Sequence, residues 1–250
     1  MTRPQIEILP SRADFTLQAV RHWLAACRQA VAERGAFHCA LAGGGTPRAL
    51  YHCLATPYAA DRVPWERVWL WQSDERGVPP GDPASNWTMI RRTLVERVPV
   101  PASQCRPMVP DAAAAAALDA AARRYEAQLR ATLPADPAGR PVFDLVLLGV
   151  GTDGHTASLF PGTPALETRT RLVVPVEARV EPPRRISFTP PLIEAAREVV
   201  FLVAGRDKAA VVARLLGDRD SELPAARLRP SGRVRWLLDA EAARALPGAA

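Results

Sequence analysis

Lysine is almost missing from this chain: of 32 basic residues only Lys208 is a lysine, and the rest are arginines. A lone ammonium in that background singles itself out, because a compact rotatable charge and a flat guanidinium fork are not interchangeable at a phosphate or a catalytic centre. Cysteine is scarce as well. Cys27, Cys39, Cys53 and Cys105 form neither a CxxC pair nor a Cys/His spacing suited to a metal, so they read as reduced, buried thiols and no metal or cofactor is expected. No apolar run reaches the roughly 18 residues of a membrane span. The opening MTRPQIEILP also lacks the apolar core of a secretion signal. A cytoplasmic protein without a membrane partner is the expectation.

No single-sign patch stands out either. The formal charge is +6, but arginines are scattered from Arg3 to Arg244 among 26 acidic residues. That scatter argues against a nucleic-acid partner and suits a solvated surface whose excess charge draws in a small anionic substrate. The 250 residues suffice for one large core, so a single α/β domain over residues 1–250, monomeric or weakly homo-oligomeric, is expected.

What is present is an alternation of apolar runs and helical patterns. A short strand near Ile6–Leu9 precedes a helix capped by Ser11 or Asp14, running to about Arg34 with Phe15, Leu17, Val20, Trp23, Leu24, Cys27 and Val31 near helical spacing and Gly35 to close it. Phe37–Ala42 reads as a buried strand and leads through Gly43–Gly45 into a helix ending near Leu54. Val68–Gln72 is a strand that runs into an Asp74–Glu75–Arg76 loop, and Ser85 caps a helix from Asn86 to about Val98. Ala112–Leu133 is an alanine-rich helix with Leu118, Tyr125 and Leu129 on its apolar face; Pro134–Pro141 is a loop and Phe143–Gly149 the central strand. Strands follow at Leu172–Val176, Arg185–Phe188, Val199–Ala204 and Val234–Leu238, with helices at Pro191–Arg197, Asp207–Leu216 and the C-terminus. The pattern predicts an α/β fold with a Rossmann-like, mostly parallel sheet and helices on both faces.

Three loops carry chemistry. In the first, Thr46 as helix N-cap and Pro47 at the first helical position would set the helix entry, while Gly43–Gly45 let the backbone approach a ligand and aim free N–H groups at one point. Together with the partial positive charge of the helix N-terminus this makes an anion site. In the second, Arg76 can grip phosphate oxygens or a developing oxyanion through two parallel hydrogen bonds, and a surface salt-bridge cluster is the plain alternative for Asp74–Glu75–Arg76. In the third, an apolar strand delivers Asp153 and His155 to its carboxyl end, where an open α/β sheet builds active sites. His155 is of the type that serves as a general base. Gly149, Gly151 and Gly154 also match GxGxxG, which raises nicotinamide binding, but Pro161 follows too soon for the unbroken helix of that fingerprint. His22 and His52 lie on predicted helices and His38 in an apolar strand.

Read together, the segments LAGGGTPRALY (41–51), WQSDERGVPPGDPASNW (71–87), FDLVLLGVGTDGHTASLFPG (143–162), PPRRISFTPPLI (182–193) and VVFLVAGRDKAAVV (199–212) resemble the 6-phosphogluconolactonase family, within the wider group that includes glucosamine-6-phosphate isomerase/deaminase. The sequence Ser158–Gly162 after the histidine looks like the lactonase branch. Departures are Ala42 and Gly45, where the family's SGGST motif has hydroxyls, and Ser187, where a threonine is usual.

By that resemblance Gly44, Gly45 and Thr46 would bind a 6-phosphate with Arg76, Arg185 and Lys208, and Asp74 and Asn86 would shape the sugar pocket. His155 would activate water to open a phosphorylated sugar lactone, with Asp153 orienting it or helping position the lactone, and Arg76 or backbone N–H groups holding the oxyanion. The resemblance thus implies hydrolysis of 6-phospho-D-glucono-1,5-lactone in the oxidative pentose phosphate pathway. The alternatives are an amino-sugar-phosphate isomerase or deaminase, a sugar-phosphate-binding domain without turnover, and a nicotinamide-dependent reductase.

Overall fold

The computed structural model describes residues 4–109, 115–217 and 221–247. Apolar runs without polar alternation have no face to offer water and must be covered on both sides. Phe37–Leu41 (β2), Leu145–Leu148 (β6) and Glu198–Val203 (β9) are such runs, buried at every residue, and they lie side by side at the centre of a sheet. With Gln5–Leu9 (β1), Val68–Gln72 (β3), Cys105–Arg106 (β5) and Arg233–Asp239 (β10), the seven strands take the order β1-β10-β9-β6-β2-β3-β5, every pair parallel.

Side chains alternate between the two faces with period two. Phe37, Cys39 and Leu41 of β2, Leu145 and Leu147 of β6, and Val200 and Leu202 of β9 join one core, beneath the helix Arg12–Arg34 (α1) and the helix Gly45–Leu54 (α2). Ala40, Val146, Leu148, Val199, Phe201 and Val203 join the opposite core, with Trp71, Tyr125, Phe143 and Phe188. The start of α1 is capped by Ser11, which accepts from the Asp14 N–H at 3.1 Å, and Gly35 closes it at φ 77°. Such a cap contributes about 1 kcal/mol. Full burial of each of Phe15, Val20 and Trp23 contributes roughly 1.5–3 kcal/mol, so packing rather than capping holds the helix down.

The structure departs from the sequence expectation at several points. Asp74–Arg76 is no loop but a short strand (β4), which pairs antiparallel with Arg184–Phe188 (β8); β8 in turn pairs with Val173–Glu177 (β7), giving a separate three-stranded sheet, β4-β8-β7. The helix from Asn86 ends at Thr93 instead of near Val98, because Leu94 leaves the helical region (φ −130°, ψ −66°) and a 3-10 turn, Val95–Arg97, follows. The alanine-rich helix is described from Ala115 to Thr132, and Ala112 to Ala114 of the expected span lie outside the described residues. Cys27 and Cys39 are buried while Cys53 and Cys105 are only half-buried, a correction to the reading of all four as buried; burial pushes the Cys27 thiol up to about 12. Among the described residues no helix is long and apolar enough to cross a membrane.

The chain leaves β2 towards β3 and returns on the other side at β6. This reversal parts the loops after β2 and β6 and opens a crevice above the carboxyl ends of the strands.

Candidate active site

That crevice is a cleft of about 500 Å³ into which the three loops of the sequence analysis converge. Gly44, Gly45, Thr46, Asp74, Arg76, Asn86, His155, Arg185 and Lys208 all line it. Asp153 does not line the cleft but stands directly behind His155.

The glycine loop differs from expectation in one respect. Thr46 is not the N-cap: Gly44 is, at φ 94° and ψ 179°, so Gly45 is the first helical residue, Thr46 the second and Pro47 the third. Only glycine adopts that φ without strain, which moves the helix start two residues earlier than the side-chain preference for threonine suggested. Pro47 remains compatible, since first-turn N–H groups have no partner inside the helix. The three glycines serve different purposes. A Cβ on Gly43 would lie 1.9 Å from Asn86 Oδ1, whereas none on Gly44 or Gly45 would meet any atom within 4 Å. Gly43 therefore packs against protein, and its two neighbours face open space beside the free N–H groups.

Around β4 the buried polar groups interlock. Asp74 accepts from Ser158 Oγ at 2.7 Å and from Asn86 Nδ2 at 3.3 Å, and Asn86 Nδ2 also donates to the Asp74 carbonyl at 3.0 Å. Asn86 Oδ1 and Arg76 Nε are buried with no partner. Arg76 donates through Nη1 to the Ala84 carbonyl at 2.6 Å, and Arg185 through Nε to the Pro182 carbonyl at 3.1 Å. Arg185 is only 5% exposed, and burial pulls its pKa down, followed by the repulsion of Arg76; Asp74 and Glu75 push the other way. Among the described residues no carboxylate forms an ion pair with either guanidinium. Two cations thus face the cleft with unused donors, a strong arrangement for binding an anion through a fork.

Across the cleft, His155 Nδ1 lies 2.6 Å from Asp153 Oδ1, which also accepts the His155 backbone N–H at 3.1 Å. A carboxylate at Nδ1 fixes the tautomer with its proton there and leaves Nε2 as an acceptor. The imidazole rests on Phe160, centroids 4.2 Å apart, and the same ring carries the Arg185 guanidinium at 5.3 Å. A Cβ on Gly151 would come within 2.1 Å of Nδ1, so this glycine makes room for the imidazole. Ala157 holds φ 49°, a left-handed conformation uncommon outside glycine that tends to cluster at functional sites. No helix follows Gly154 until the four-residue Pro164–Glu167, which removes the dinucleotide fingerprint as an account of this loop.

Lys208 ends a 3-10 turn after β9, its Nζ 3.3 Å from Asp207 Oδ2. The turn is held by Asp239, which accepts the Gly205 N–H at 3.0 Å and lies 3.5 Å from Arg12 Nη1. Arg12 also lines the cleft, and nothing in its sequence surroundings marks it. Sequence reasoning likewise left Ser158 and Phe160 without roles, although both stand in the quoted motif after His155, and it kept a surface salt-bridge cluster as the alternative for Asp74–Glu75–Arg76, whereas Glu75 is buried.

The chain is similar to known proteins along nearly its whole length. The sequence profile described as glucosamine-6-phosphate isomerases/6-phosphogluconolactonase matches residues 10–236. A 6-phosphogluconolactonase of Mycobacterium tuberculosis is 42% identical over 246 residues, covering 97% of this chain and 98% of that protein. One of Synechocystis sp. is 39% identical over 241 residues, covering 96% and 97%. Among solved structures, 6-phosphogluconolactonase from Trypanosoma brucei superposes with a TM-score of 0.86 at 29% identity, covering 99% of this chain and all of that one (100%). A profile match across most of the chain and near full-length relatives well above 30% identity lead to one conclusion, that the chain belongs to the glucosamine-6-phosphate isomerase/6-phosphogluconolactonase family.

Proposed function

We propose that the chain hydrolyses 6-phospho-D-glucono-1,5-lactone to 6-phosphogluconate, the second step of the oxidative pentose phosphate pathway. The observation that carries this reading is His155 in the cleft, backed by Asp153 at 2.6 Å, together with two guanidiniums that form no carboxylate ion pair among the described residues. One group prepares a nucleophile and the other takes an anion.

In this mechanism Asp153 holds the Nδ1 proton and His155 Nε2 takes a proton from water as the water attacks C1. The tetrahedral oxyanion is held by Arg76 or by backbone N–H groups. The ring oxygen then leaves as the C5 alcohol, and His155 returns its proton to it. Gly44, Gly45 and Thr46 bind the 6-phosphate with Lys208 and Arg185, while Asp74 and Asn86 shape the sugar pocket. A lactone is an activated ester, so a general base worth about 10²–10⁴ in rate and an oxyanion donor worth roughly 3 kcal/mol suffice. Phosphate binding away from C1 orients the ring and discriminates against lactones without phosphate. The scattered surface charge suits such a diffusible anion, and we place the protein in the cytoplasm as a monomer or weak homo-oligomer.

The test is the rate of lactone hydrolysis above the spontaneous rate, read by NADP-dependent oxidation of the product, for wild type and His155→Ala. We expect kcat to fall by at least about 10²-fold in the variant. No acceleration by folded wild type sinks the lactonase reading, and a folded variant with wild-type kcat removes His155 as the base.

A further inference from the structure

Glu75 takes no part in the steps above, yet it is 2% exposed and surrounded by donors. Its Oε1 accepts the backbone N–H groups of Arg76 and Asn86, each at 2.7 Å. Its Oε2 accepts from the Trp87 N–H at 2.8 Å, Ser85 Oγ at 2.9 Å and Gln72 Nε2 at 3.0 Å. Several of these donors open the helix Asn86–Thr93, where a carboxylate also meets the positive end of the helix dipole.

The surroundings along the sheet are cationic. Arg76 follows Glu75 in β4, and Arg185 stands directly opposite Arg76 in the antiparallel register. Like charges facing each other across strands repel, and Arg185, buried although Arg76 is only half-buried, has little water to screen it. Asp74 and Glu75 are the carboxylates on this strand: both raise the pKa of Arg185, and burial in turn raises that of Glu75 against the pull of its hydrogen bonds.

We infer that Glu75 is a positioning residue: its negative charge keeps the facing guanidiniums of Arg76 and Arg185 together before an anion arrives, and its hydrogen bonds set Arg76 and Asn86 in place through the main chain. The inference rests on the proposed reading of Arg76 and Arg185 as the guanidiniums that take the substrate's anionic groups, Arg185 the phosphate and Arg76 the oxyanion.

Glu75→Gln keeps the shape, deletes the charge and turns one acceptor into a donor among donors. The experiment compares wild type, Glu75→Gln, Arg185→Met and the double variant by kinetics with the phosphorylated lactone, by thermal melting in phosphate-free buffer, and by the Tm gain on adding inorganic phosphate. In Glu75→Gln, KM rises by at least about tenfold, by more than kcat falls, as for a lost charge-assisted hydrogen bond. The Tm gain with phosphate shrinks. Arg185→Met recovers at least about half of the Tm loss of Glu75→Gln, because one cation of the repelling pair has gone. A residue that only capped the helix would give additive Tm losses.

A folded Glu75→Gln with wild-type KM, or additive losses in the double variant, overturns the inference. Should Glu75→Gln alone be insoluble, a soluble double variant supports the inference and an insoluble one overturns it. A wild type that gains Tm with phosphate but does not hydrolyse the lactone fails the proposed reaction alone, and the melting data then decide Glu75 separately.

Discussion

Ser158 donates its hydroxyl to Asp74 Oδ2 across 2.7 Å, and both side chains are buried. The Ser158 N–H in turn donates to Ser187 Oγ at 3.1 Å, and Ser187 is the register partner of Asp74 across β4 and β8. These three residues close a loop of contacts between the segment carrying His155, the strand carrying Arg76 and the strand carrying Arg185. The two sides of the cleft are held in register by hydroxyls. This also explains why serine serves at 187 where the family usually has threonine: the contact uses the oxygen.

Ser158→Ala leaves one oxygen of the buried Asp74 carboxylate without its short bond, and the remaining Asn86 contact at 3.3 Å is long. Leaving a buried acceptor unsatisfied costs about 1–3 kcal/mol. We expect urea unfolding to show a stability lowered by that amount together with a fall in kcat/KM, since the His155 loop loses its tie to β4. An unchanged midpoint and unchanged kinetics would show that the bond does not organise the cleft.

Much of the site was legible in the sequence because its loops need glycine for steric reasons. Gly43 sits against Asn86, Gly151 against His155 and Gly154 at φ 81°, so the glycine clusters marked where backbone and functional side chains approach closely. The fully buried β2, β6 and β9 were legible for a related reason, as runs so dominated by apolar residues fit no half-exposed element. The second sheet was not legible. Asp74–Glu75–Arg76 is short and polar, and its partner β8 lies more than a hundred residues away, so no local pattern announces a strand. The role of Gly44 as N-cap escaped because side-chain preferences favour threonine there, while the backbone's positive φ decides the matter. Arg12 reaches the cleft from the far edge of the fold, a relation that only the tertiary structure supplies.

His38 offers a test of the core through pH. It is buried on β2, its ring stacked on Trp69 with centroids 5.6 Å apart, and its Nδ1 has no partner. Burial lowers its pKa from 6.5, with the nearby Asp144 opposing. The unfolded chain therefore binds a proton in a window just below 6.5 where the folded chain does not. Stability rises with pH through that window and is lost as pH falls below it. His38→Phe keeps an aromatic ring and removes the titration, so its Tm should fall less steeply than that of wild type between about pH 7 and pH 5. Parallel Tm curves would mean that His38 does not report burial in this way.

Gly45 is one of two positions, with Ala42, where the glycine loop departs from the family's hydroxyls, and the structure shows what a side chain there would meet. No atom lies within 4 Å of a Cβ built on Gly45, and its φ is not in the positive range that Gly44 adopts and that would strain a side chain. Gly45→Ser should therefore fold, add a donor at the N-terminus of α2 and lower KM for the phosphorylated lactone by about two- to tenfold, the worth of one hydrogen bond. Gly44→Ser, with the φ of 94° to hold, should lose stability instead. A raised KM in Gly45→Ser with an unchanged melting temperature would place the phosphate against the Gly45 backbone itself, so closely that the added side chain displaces it, and the family's hydroxyl would then be dispensable here because the bare backbone has taken over its contact.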